Sequence, residues 1–271
     1  MTNNTPASVI EVKNLTCGYA DKVILQDVSF AVNAREILFV IGGSGCGKST
    51  LLRCLIGLLK PFQGDIAYFG KSFIAADATQ RREILKTFGV LYQNNALWSS
   101  MTLAENVSLP LEEHTSLSAA DREEIIAIKL AEVDLAGAEE LYPSELSGGM
   151  KKRAALARAL ALDPAIVFFD EPSTGLDPIT SREMDRLILQ VRDTLGTTMV
   201  IVSHQLSSIF RLADRVIMLD RDAKGIIAEG TPTELASTST DPRVRDFLNQ
   251  DADSSARSNP TPAVESEVHS K

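Results

Sequence analysis

The nine residues Gly42–Thr50, GGSGCGKST, follow the apolar run ILFVI (37–41) and precede LLRCLIGLL (51–59). They stand where a strand is expected to turn into a helix. Glycines open a loop for close approach because they carry no β-carbon, and a helix N-terminus presents unpaired N–H groups and a positive dipole end. A lysine and a hydroxyl complete the set. The stretch therefore predicts a loop that binds nucleotide phosphates.

This phosphate loop (Gly42–Thr50) fits the Walker A pattern G-x-x-x-x-G-K-[ST]. Lys48 is expected to reach the outer phosphates and Ser49 to bind Mg²⁺. The alternative is a flexible glycine-rich turn without a ligand, which the strand before it and the helix after it disfavour. Cys46 is either a small packing side chain, which we favour, or a reactive thiol. The predicted binding residues are Gly42, Gly43, Ser44, Gly45, Cys46, Gly47, Lys48, Ser49 and Thr50.

The composition is that of a globular α/β protein. The chain has 271 residues, 44% hydrophobic and 23% charged, which allows a sizeable core in one or two domains. The net charge of −9 disfavours a broad electrostatic grip on nucleic acid. No apolar run approaches the roughly 18 residues that cross a bilayer, and the N-terminus lacks a signal-peptide pattern. We expect a cytoplasmic protein that reaches a membrane only through a partner.

Hydrophobic patterning predicts parallel crossover units of alternating strands and helices. Strands are predicted at 9–12, 37–41, 166–169, 199–202 and 216–219. Helices are predicted at 48–59, 119–134, 147–161 and 179–195. The middle of the chain lacks strong strands and is expected to form a helical insertion.

The chain changes character near residue 249, beyond which it is rich in Ser, Pro and acids and short of large apolar residues. Such a tail cannot bury enough surface to offset its ordering entropy. We therefore expect a main domain at 9–240, with a helical subdomain at about 95–160. A C-terminal extension at 241–271 is expected to be disordered from about residue 249.

The segment IVFFDEP (166–172) predicts a catalytic carboxylate pair at the end of a buried strand. Ligands of open α/β sheets bind at the carboxyl ends of the strands. Phosphoryl chemistry needs one carboxylate to hold Mg²⁺ and gains from another that orients or deprotonates the attacking water. Asp170 fits the metal role and Glu171 the base role. Adjacent acids are weak evidence alone, but together with a phosphate loop they become strong.

The segment LSGGMKKRAALARAL (146–160) predicts a second anion site. Ser147 is placed to cap a helix, while Gly148 and Gly149 clear the approach to the following N–H groups. Basic residues at 151–153 follow on the first turns. The alternative is an ordinary capped surface helix. We call Ser147–Gly149 the signature turn.

Taken together, these motifs resemble the nucleotide-binding subunits of ABC transporters over residues 9 to about 235. LSGGM (146–150) is similar to their signature motif, and DEPSTGLD (170–177) is similar to Walker B followed by the D-loop. His204, after Ser203, matches the switch histidine. Gln93 falls at the Q-loop glutamine, and Tyr19 matches the aromatic A-loop residue that stacks on adenine.

The resemblance implies an α/β fold of the ABC-type P-loop NTPase class, with a mainly parallel core sheet, an antiparallel N-terminal β-subdomain and a helical subdomain. It implies ATP and Mg²⁺ as cofactors and a head-to-tail homodimer in which the phosphate loop of one chain and the signature turn of the other enclose ATP. ATP hydrolysis then separates the two chains.

The same resemblance assigns the remaining roles. The catalytic residues are Glu171, His204 and Gln93, and His204 contacts the γ-phosphate. Asp177 helps to couple the two nucleotide sites. Each of these residues has a purely structural alternative, which the ordered set of motifs disfavours. Further nucleotide contacts are Tyr19, Ser147, Gly148, Gly149 and Asp177, and the metal ligands are Ser49, Gln93 and Asp170.

The stretch after Gln93 carries apolar residues that look exposed, among them Leu97, Trp98 and Met101, and a helix that Thr102 could cap. Such a site favours a groove that receives a helix from a membrane partner. Ordinary packing of the helical insertion is the alternative.

Short motifs narrow the branch of the family. Met150 after SGG, together with PLEEHTSLS (110–118) and DPRVRDFL (241–248), resembles the ATPases of Mla and Mce-type phospholipid transport systems. This implies an integral-membrane permease, a Mce-domain lipid-binding protein, a small STAS-domain protein and a position on the cytoplasmic side of the inner membrane. The alternatives are an ABC ATPase for another substrate, a soluble ABC ATPase acting on nucleic acid or ribosomes, and a small-molecule kinase.

Overall fold

The structure is a computed structural model that describes residues 8–249. The tail that was predicted to be disordered lies outside the described residues. Within them the strands are β1 (Ser8–Tyr19), β2 (Lys22–Asn33), β3 (Ile37–Ile41), β4 (Gln63–Tyr68), β5 (Lys71–Ser72), β6 (Phe88–Leu91), β7 (Ile166–Asp170), β8 (Thr198–Val202), β9 (Arg215–Asp220) and β10 (Gly225–Gly230). The helices are α1 (Lys48–Leu55), α2 (Ala78–Leu85), α3 (Leu103–His114), α4 (Ala119–Glu132), α5 (Gly148–Leu160), α6 (Pro178–Leu195), α7 (Leu206–Leu212), α8 (Pro232–Thr238) and α9 (Pro242–Leu248).

The strands form two sheets. The core sheet has the order β10-β9-β3-β8-β7-β6, and every neighbouring pair in it is parallel except β10 with β9. The second sheet has the order β2-β1-β4-β5 and is antiparallel. The mainly parallel core sheet and the antiparallel N-terminal sheet are thus confirmed.

The register aligns the carboxyl ends of four neighbouring strands. Val40 of β3 lies opposite Val202 of β8, and Val202 lies opposite Asp170 of β7. Phe169 of β7 lies opposite Leu91 of β6. The segments that follow β3, β8, β7 and β6 therefore leave the sheet at one edge, where open α/β sheets bind their ligands.

The core sheet is covered on both faces, as the five buried residues of β3 show. Ile37, Phe39 and Ile41 join a hydrophobic cluster with residues of α3 to α6. Leu38 and Val40 join a second cluster with residues of α1 and the antiparallel sheet. Each fully buried side chain of this size contributes about 1.5–3 kcal/mol. Successive side chains of β3 therefore pack against helices on one face of the core sheet and against α1 and the second sheet on the other.

The strand predictions were right in position but incomplete. The run 9–12 belongs to β1, which is antiparallel to both of its neighbours and interrupted by register shifts, as expected for the N-terminal β-subdomain. Five strands were missed. β6 is only four residues long. β4 begins with Gln63–Gly64, so it lacks a clear apolar alternation from which a strand could be predicted.

The helix predictions were correct within a few residues, except at the end of α1. That helix stops at Leu55 instead of residue 59 because Gly57 adopts a left-handed φ of 77°. Helix α3 was not delimited in advance; it contains Pro110, which usually interrupts a helix. The capping role expected of Thr102 is confirmed, since its side chain accepts a hydrogen bond from the Glu105 N–H.

Between β6 and β7 the chain forms helices and turns, as expected for the helical subdomain. At the other end of the described residues, Val244 and Leu248 of α9 are buried in the cluster that covers the helical face of the core sheet. Helix α9 therefore packs on the main body, and the domain boundary at residue 240 stays a prediction. Among residues 8–249, no helix combines the length and the apolar character that a membrane span requires.

Candidate active site

The phosphate loop connects β3 to α1 and begins the helix without a side-chain cap. Gly47 occupies the N-cap position with φ 108°. A β-carbon on Gly42, at φ 139°, would lie 2.3 Å from the Leu219 carbonyl oxygen. By contrast, a β-carbon on Gly43 or Gly45 would meet no atom within 4 Å. Gly42 and Gly47 are thus required for the backbone conformation of the loop, while the middle of the loop, at Gly43 and Gly45, is open for a ligand.

Lys48 is held inside the same loop. Its ammonium donates to the carbonyl oxygens of Gly42 at 2.7 Å and Gly43 at 3.1 Å. The neighbouring Cys46 side chain is buried and packs in the hydrophobic cluster behind the loop, which agrees with the packing role favoured from the sequence. Ser49 is exposed at the start of α1, whereas Thr50 is buried. A lysine placed this way can turn from its carbonyl partners to a phosphate without moving its backbone.

Glu171 and His204 meet across the carboxyl ends of β7 and β8. The Nδ1 atom of His204 lies 2.8 Å from Oε1 of Glu171, and Thr174 donates its hydroxyl to Oε2 at 3.2 Å. Glu171 itself has a left-handed φ of 51° and donates its N–H to the Val202 carbonyl oxygen. Non-glycine residues persist there only where surrounding contacts hold them, commonly at functional sites. The carboxylate is therefore held by His204 and Thr174, and the Glu171 backbone is held by Val202 of β8.

Asp170 is half-buried beside Glu171. Burial raises the pKa of the Asp170 carboxyl, and the adjacent Glu171 raises it further, while Arg53, Lys152 and Lys48 act in the opposite direction. Two neighbouring carboxylates that share one site repel each other. A divalent cation would relieve that repulsion, so the charge arrangement fits the metal role predicted for Asp170.

Gln93 follows β6 at the same edge of the sheet and is exposed. Its backbone carbonyl accepts a hydrogen bond from the ammonium of Lys152 at 3.3 Å, and that ammonium also donates to the Glu171 carbonyl at 3.4 Å. Sequence reasoning missed this inward position of Lys152. The signal was available, because Lys152 stands three and four residues before the buried Ala155 and Leu156 on one face of α5.

Tyr19, at the end of β1, contacts the helix that follows the phosphate loop. Its hydroxyl accepts a hydrogen bond from the Arg53 guanidinium at 2.8 Å, and the guanidinium carbon lies 6.0 Å from the ring centroid. The ring is partly exposed beside α1. This position suits an aromatic side chain that packs against a ligand of the phosphate loop.

The signature turn starts α5 and lies against the beginning of α6. Ser147 caps α5, as predicted, by accepting a hydrogen bond from the Met150 N–H at 3.3 Å. A β-carbon on Gly149 would lie only 2.5 Å from Cγ2 of Thr180, whereas one on Gly148 would meet only Leu176, at 3.8 Å. Gly149 is therefore required for packing, and Gly148 borders open space.

The basic residues at 151–153, which follow the signature turn, do not lie together in the structure, because two of them make other contacts. Lys152 points into the protein, as described above. Arg153 forms ion pairs with Asp134 at 3.0 Å and Glu183 at 2.9 Å, which join α5 to the end of α4 and to α6. The helical period places adjacent residues on different faces, so a basic triplet on a helix cannot act as one patch.

Asp177 caps α6. Its carboxylate accepts hydrogen bonds from the N–H groups of Ile179 and Thr180 and from the Thr180 hydroxyl. These bonds, led by that from the Thr180 hydroxyl, lower the pKa of Asp177. Asp177 therefore fixes the end of the D-loop through Thr180, the residue that packs on Gly149.

The predicted docking region lies between β6 and α3. Trp98 is 62% exposed, while Leu97 packs partly against the core. Asn106 is fully buried and holds the loop, because its side chain accepts from the Trp98 N–H and donates to the carbonyls of Trp98 and Met101. A rigid loop that presents an exposed indole is typical of a contact surface.

A family model described as ABC transporter matches residues 25–174, from β2 to the start of the D-loop. The chain belongs to the ABC transporter family. It is thus an ATPase of a transport system, and the resemblance noted in the sequence is confirmed. The small-molecule kinase alternative is excluded by the same match.

Relatives of this ABC ATPase are transport ATP-binding proteins of similar or greater length. The intermembrane phospholipid transport system ATP-binding protein MlaF of Haemophilus influenzae is 41% identical over 92% of this chain and 94% of its own length. MlaF of Escherichia coli K12 is 38% identical over 91% of each chain. The Mycobacterium tuberculosis protein mkl, named a probable ribonucleotide transport ATP-binding protein, is 42% identical over 92% of this chain and 68% of its own length.

Solved structures with the same fold are ABC cassettes. The ATP-binding cassette MJ0796, in a dimeric post-hydrolysis state with ADP and Pi, has a TM-score of 0.73 at 28% identity, over 82% of this chain and 98% of its own. The cbiO1 protein of Clostridium perfringens has a TM-score of 0.78 at 24% identity, over 92% and 98% of the two chains, and shows the fold. The expected ABC fold class is therefore confirmed.

Proposed function

We propose that this ABC ATPase drives phospholipid transport as a head-to-tail homodimer bound to an integral-membrane permease, on the cytoplasmic side of the inner membrane. The observation that carries the proposal is the shared edge of the core sheet. Four neighbouring parallel strands end there, and they are followed by the phosphate loop, the Glu171–His204 pair and Gln93, while Asp170 is the last residue of one of them. The signature turn instead starts a helix of the helical subdomain and packs on α6.

The site suits a triphosphate with Mg²⁺. Among residues 8–249, no group of three His, Cys, Asp or Glu side chains could hold a metal by itself. Mg²⁺ is commonly bound by one or two carboxylates together with substrate phosphates. Ser49, Gln93 and Asp170 would hold it here, and when bound it neutralises charge on the β- and γ-phosphates. The open middle of the phosphate loop and Lys48 would hold the remaining phosphate oxygens.

Glu171 is the proposed general base. Its carboxylate would take a proton from the water that attacks the γ-phosphate, while His204, held at 2.8 Å by the same carboxylate, would contact a γ-phosphate oxygen through its other ring nitrogen. Asp170 and Glu171 repel each other before substrate and metal enter, and the nearby Arg53, Lys152 and Lys48 offset part of that charge. Hydrolysis would therefore depend on complete assembly of the site.

Assembly would need a second copy of the chain. The Ser147 hydroxyl and the backbone N–H groups of the signature turn would donate hydrogen bonds to the γ-phosphate held by the partner copy. Asp177 would couple the two sites. The dimeric MJ0796 structure, at 28% identity, supports this arrangement. ATP would then join the two copies, and its hydrolysis would release them.

The names of the relatives divide between two substrates. MlaF proteins are named for intermembrane phospholipid transport, and mkl is named for ribonucleotide transport. The match spans 94% of the H. influenzae MlaF but 68% of mkl. The MlaF assignment accounts for more of the relative's length, so we infer a phospholipid substrate. A Mce-domain lipid-binding protein and a small STAS-domain protein are the further partners we propose.

Purification of the tagged chain in mild detergent tests this function. We expect a multi-span permease to co-purify, and the complex to contain phospholipid that mass spectrometry identifies. Reconstituted complexes should move labelled phospholipid between vesicles only with ATP. Recovery of ribosomes or DNA without a membrane protein would contradict the proposal, and release of ribonucleotides without lipid would favour the substrate in the name of mkl.

The docking region can be tested in the same preparation. Trp98→Ala should reduce recovery of the permease, because Trp98 presents its indole to solvent. Phe210→Ala, which truncates another exposed aromatic side chain on α7, is the matched control and should recover as much permease as the native chain. Equal recovery with both variants would place the docking surface elsewhere.

A further inference from the structure

Lys152 is a buried cation whose side chain forms no ion pair within residues 8–249. It is 4% exposed, and its two hydrogen bonds, of 3.3 Å and 3.4 Å, go to backbone carbonyl oxygens. Lys129, on α4, is equally buried at 3% exposed but forms ion pairs with Glu132 and Asp163. An unpaired buried charge is costly, so a position that keeps one commonly serves a function.

The electrostatic environment of Lys152 explains how the charge is tolerated. Burial lowers the pKa of its ammonium, and the negative charges of Glu171 and Asp170 offset part of that lowering. The cation thus depends on the catalytic carboxylates for compensation. Removal of the cation would leave both carbonyls without this donor and the carboxylate pair with less positive charge nearby.

The two carbonyls belong to two proposed catalytic residues. Gln93 leaves β6 and Glu171 leaves β7, and Lys152 bonds the backbone of each at that point. Glu171 has a left-handed backbone, which must be held in place by its surroundings. Both hydrogen bonds are longer than the usual 2.9–3.0 Å and can shorten if α5 moves toward the sheet.

We infer that Lys152 is a positioning residue that couples the signature turn of one copy to the catalytic Glu171 and Gln93 of the same copy. The inference rests on the proposed dimer, in which the start of α5 touches the nucleotide held by the partner. Ser147 and Lys152 are five residues apart on this one helix. Nucleotide bound to the partner would fix α5, and Lys152 would carry that constraint to Glu171. The two ATP sites would thereby respond to each other.

The variant Lys152→Met tests this role because methionine fills a similar volume without a donor. We expect the turnover per bound nucleotide to fall about 10–100-fold, the range for a small misplacement of catalytic groups. Affinity for ATP, measured with a fluorescent analogue, should change less than about two-fold, and the Hill coefficient of hydrolysis should fall toward one. Lys152→Arg keeps charge and donors and should recover most of the turnover.

The matched control is Lys129→Met, which removes the other buried lysine of the helical subdomain. It should lower the melting temperature but leave turnover per bound nucleotide and the Hill coefficient as in the native chain. Normalising to bound nucleotide separates loss of folded protein from loss of positioning. If Lys152→Met behaves like Lys129→Met, the inference is overturned. If the native chain neither dimerises with ATP nor hydrolyses it, the proposed function fails instead.

Discussion

The phosphate loop and the signature turn are both glycine-rich turns that begin a helix, yet their surroundings differ. The phosphate loop follows a core strand, and its Lys48 donates hydrogen bonds to the carbonyl oxygens of Gly42 and Gly43 in the same loop. The signature turn follows a 3-10 turn at Pro143–Glu145, its serine is used as a helix cap, and Gly149 packs on Thr180. The first carries its own means of binding a ligand. The second has one open face and needs another molecule to complete a site.

This difference separates what one copy can do from what two copies can do. Phosphate binding by one copy depends on Lys48 and the glycines beside it. Catalysis depends on Glu171, which Lys152 connects to the helix of the signature turn. Four changes in the chain test this division, from the largest expected effect to the smallest.

Glu171→Gln should have the largest effect. Loss of the general base should slow ATP turnover about 10²–10⁴-fold, while ATP still binds. Because hydrolysis no longer removes the nucleotide, the variant should form a stable dimer in ATP, which light scattering can detect. Preserved turnover would remove Glu171 from the base role. A variant that stays monomeric in saturating ATP, even with its permease, would contradict the two-copy site.

Lys48→Ala should act earlier, on binding. It removes a charge-assisted contact to phosphate, and the affinity for ATP should fall about 10–100-fold. Equilibrium binding of a fluorescent ATP analogue measures this on the isolated chain. Ser147→Ala is the matched control. Its affinity for ATP should be unchanged, because the signature turn should not affect nucleotide binding by a single copy. An unchanged affinity for Lys48→Ala would contradict the phosphate assignment.

Gly149→Ala should cost stability, because its β-carbon would lie 2.5 Å from Thr180. Overpacking of this kind costs about 1–3 kcal/mol, measured by denaturant unfolding. Thr180 cannot rotate freely, since its hydroxyl is bonded to Asp177. Adding Thr180→Ser to Gly149→Ala removes the clashing methyl and keeps the hydroxyl, so the double variant should recover the lost free energy of unfolding.

Gly148→Ala serves as the control for that pair, because its nearest contact would be at 3.8 Å. Its free energy of unfolding should change by less than about 0.5 kcal/mol. A loss in Gly148→Ala as large as that in Gly149→Ala would show that the packing on Thr180 is not the cause.

Tyr19→Phe should have the smallest effect. It removes only the hydroxyl that accepts from Arg53 and keeps the ring. Affinity for ATP should stay within about two-fold, whereas Tyr19→Ala should weaken it about 2–10-fold by loss of an aromatic contact. Calorimetric titration distinguishes the two. Equal affinities for both variants would show that the ring does not contact adenine.

Much of the fold could be predicted from local pattern. Continuous apolar runs identified β3, β7, β8 and β9 because these strands are buried on both faces. β2 was missed because one of its faces is largely exposed, and β10 because none of its residues is fully buried. The antiparallel pairing of β1 involves β2, which begins three residues after it, and the more distant β4, so its apolar run alone could not show it.

The site divides in a similar way. The phosphate loop, the carboxylate pair and the helix caps at Ser147 and Thr102 depend on neighbouring residues, and the sequence showed them. The bond between His204 and Glu171 joins residues 33 positions apart, and the Lys152 contact to Gln93 joins residues 59 apart. Such contacts exist only once the sheet has set the strand order.

The sequence by itself determined the chemistry of this protein: a phosphate-binding loop, a carboxylate pair and a capped signature turn, each made by residues adjacent along the chain. The tertiary structure decided which of these groups act together. It brought Glu171 to His204, turned Lys152 inward to two catalytic carbonyls and used Arg153 for ion pairs. The physical reason is that glycine freedom and helix capping are local, whereas strand order and burial arise only when distant segments pack.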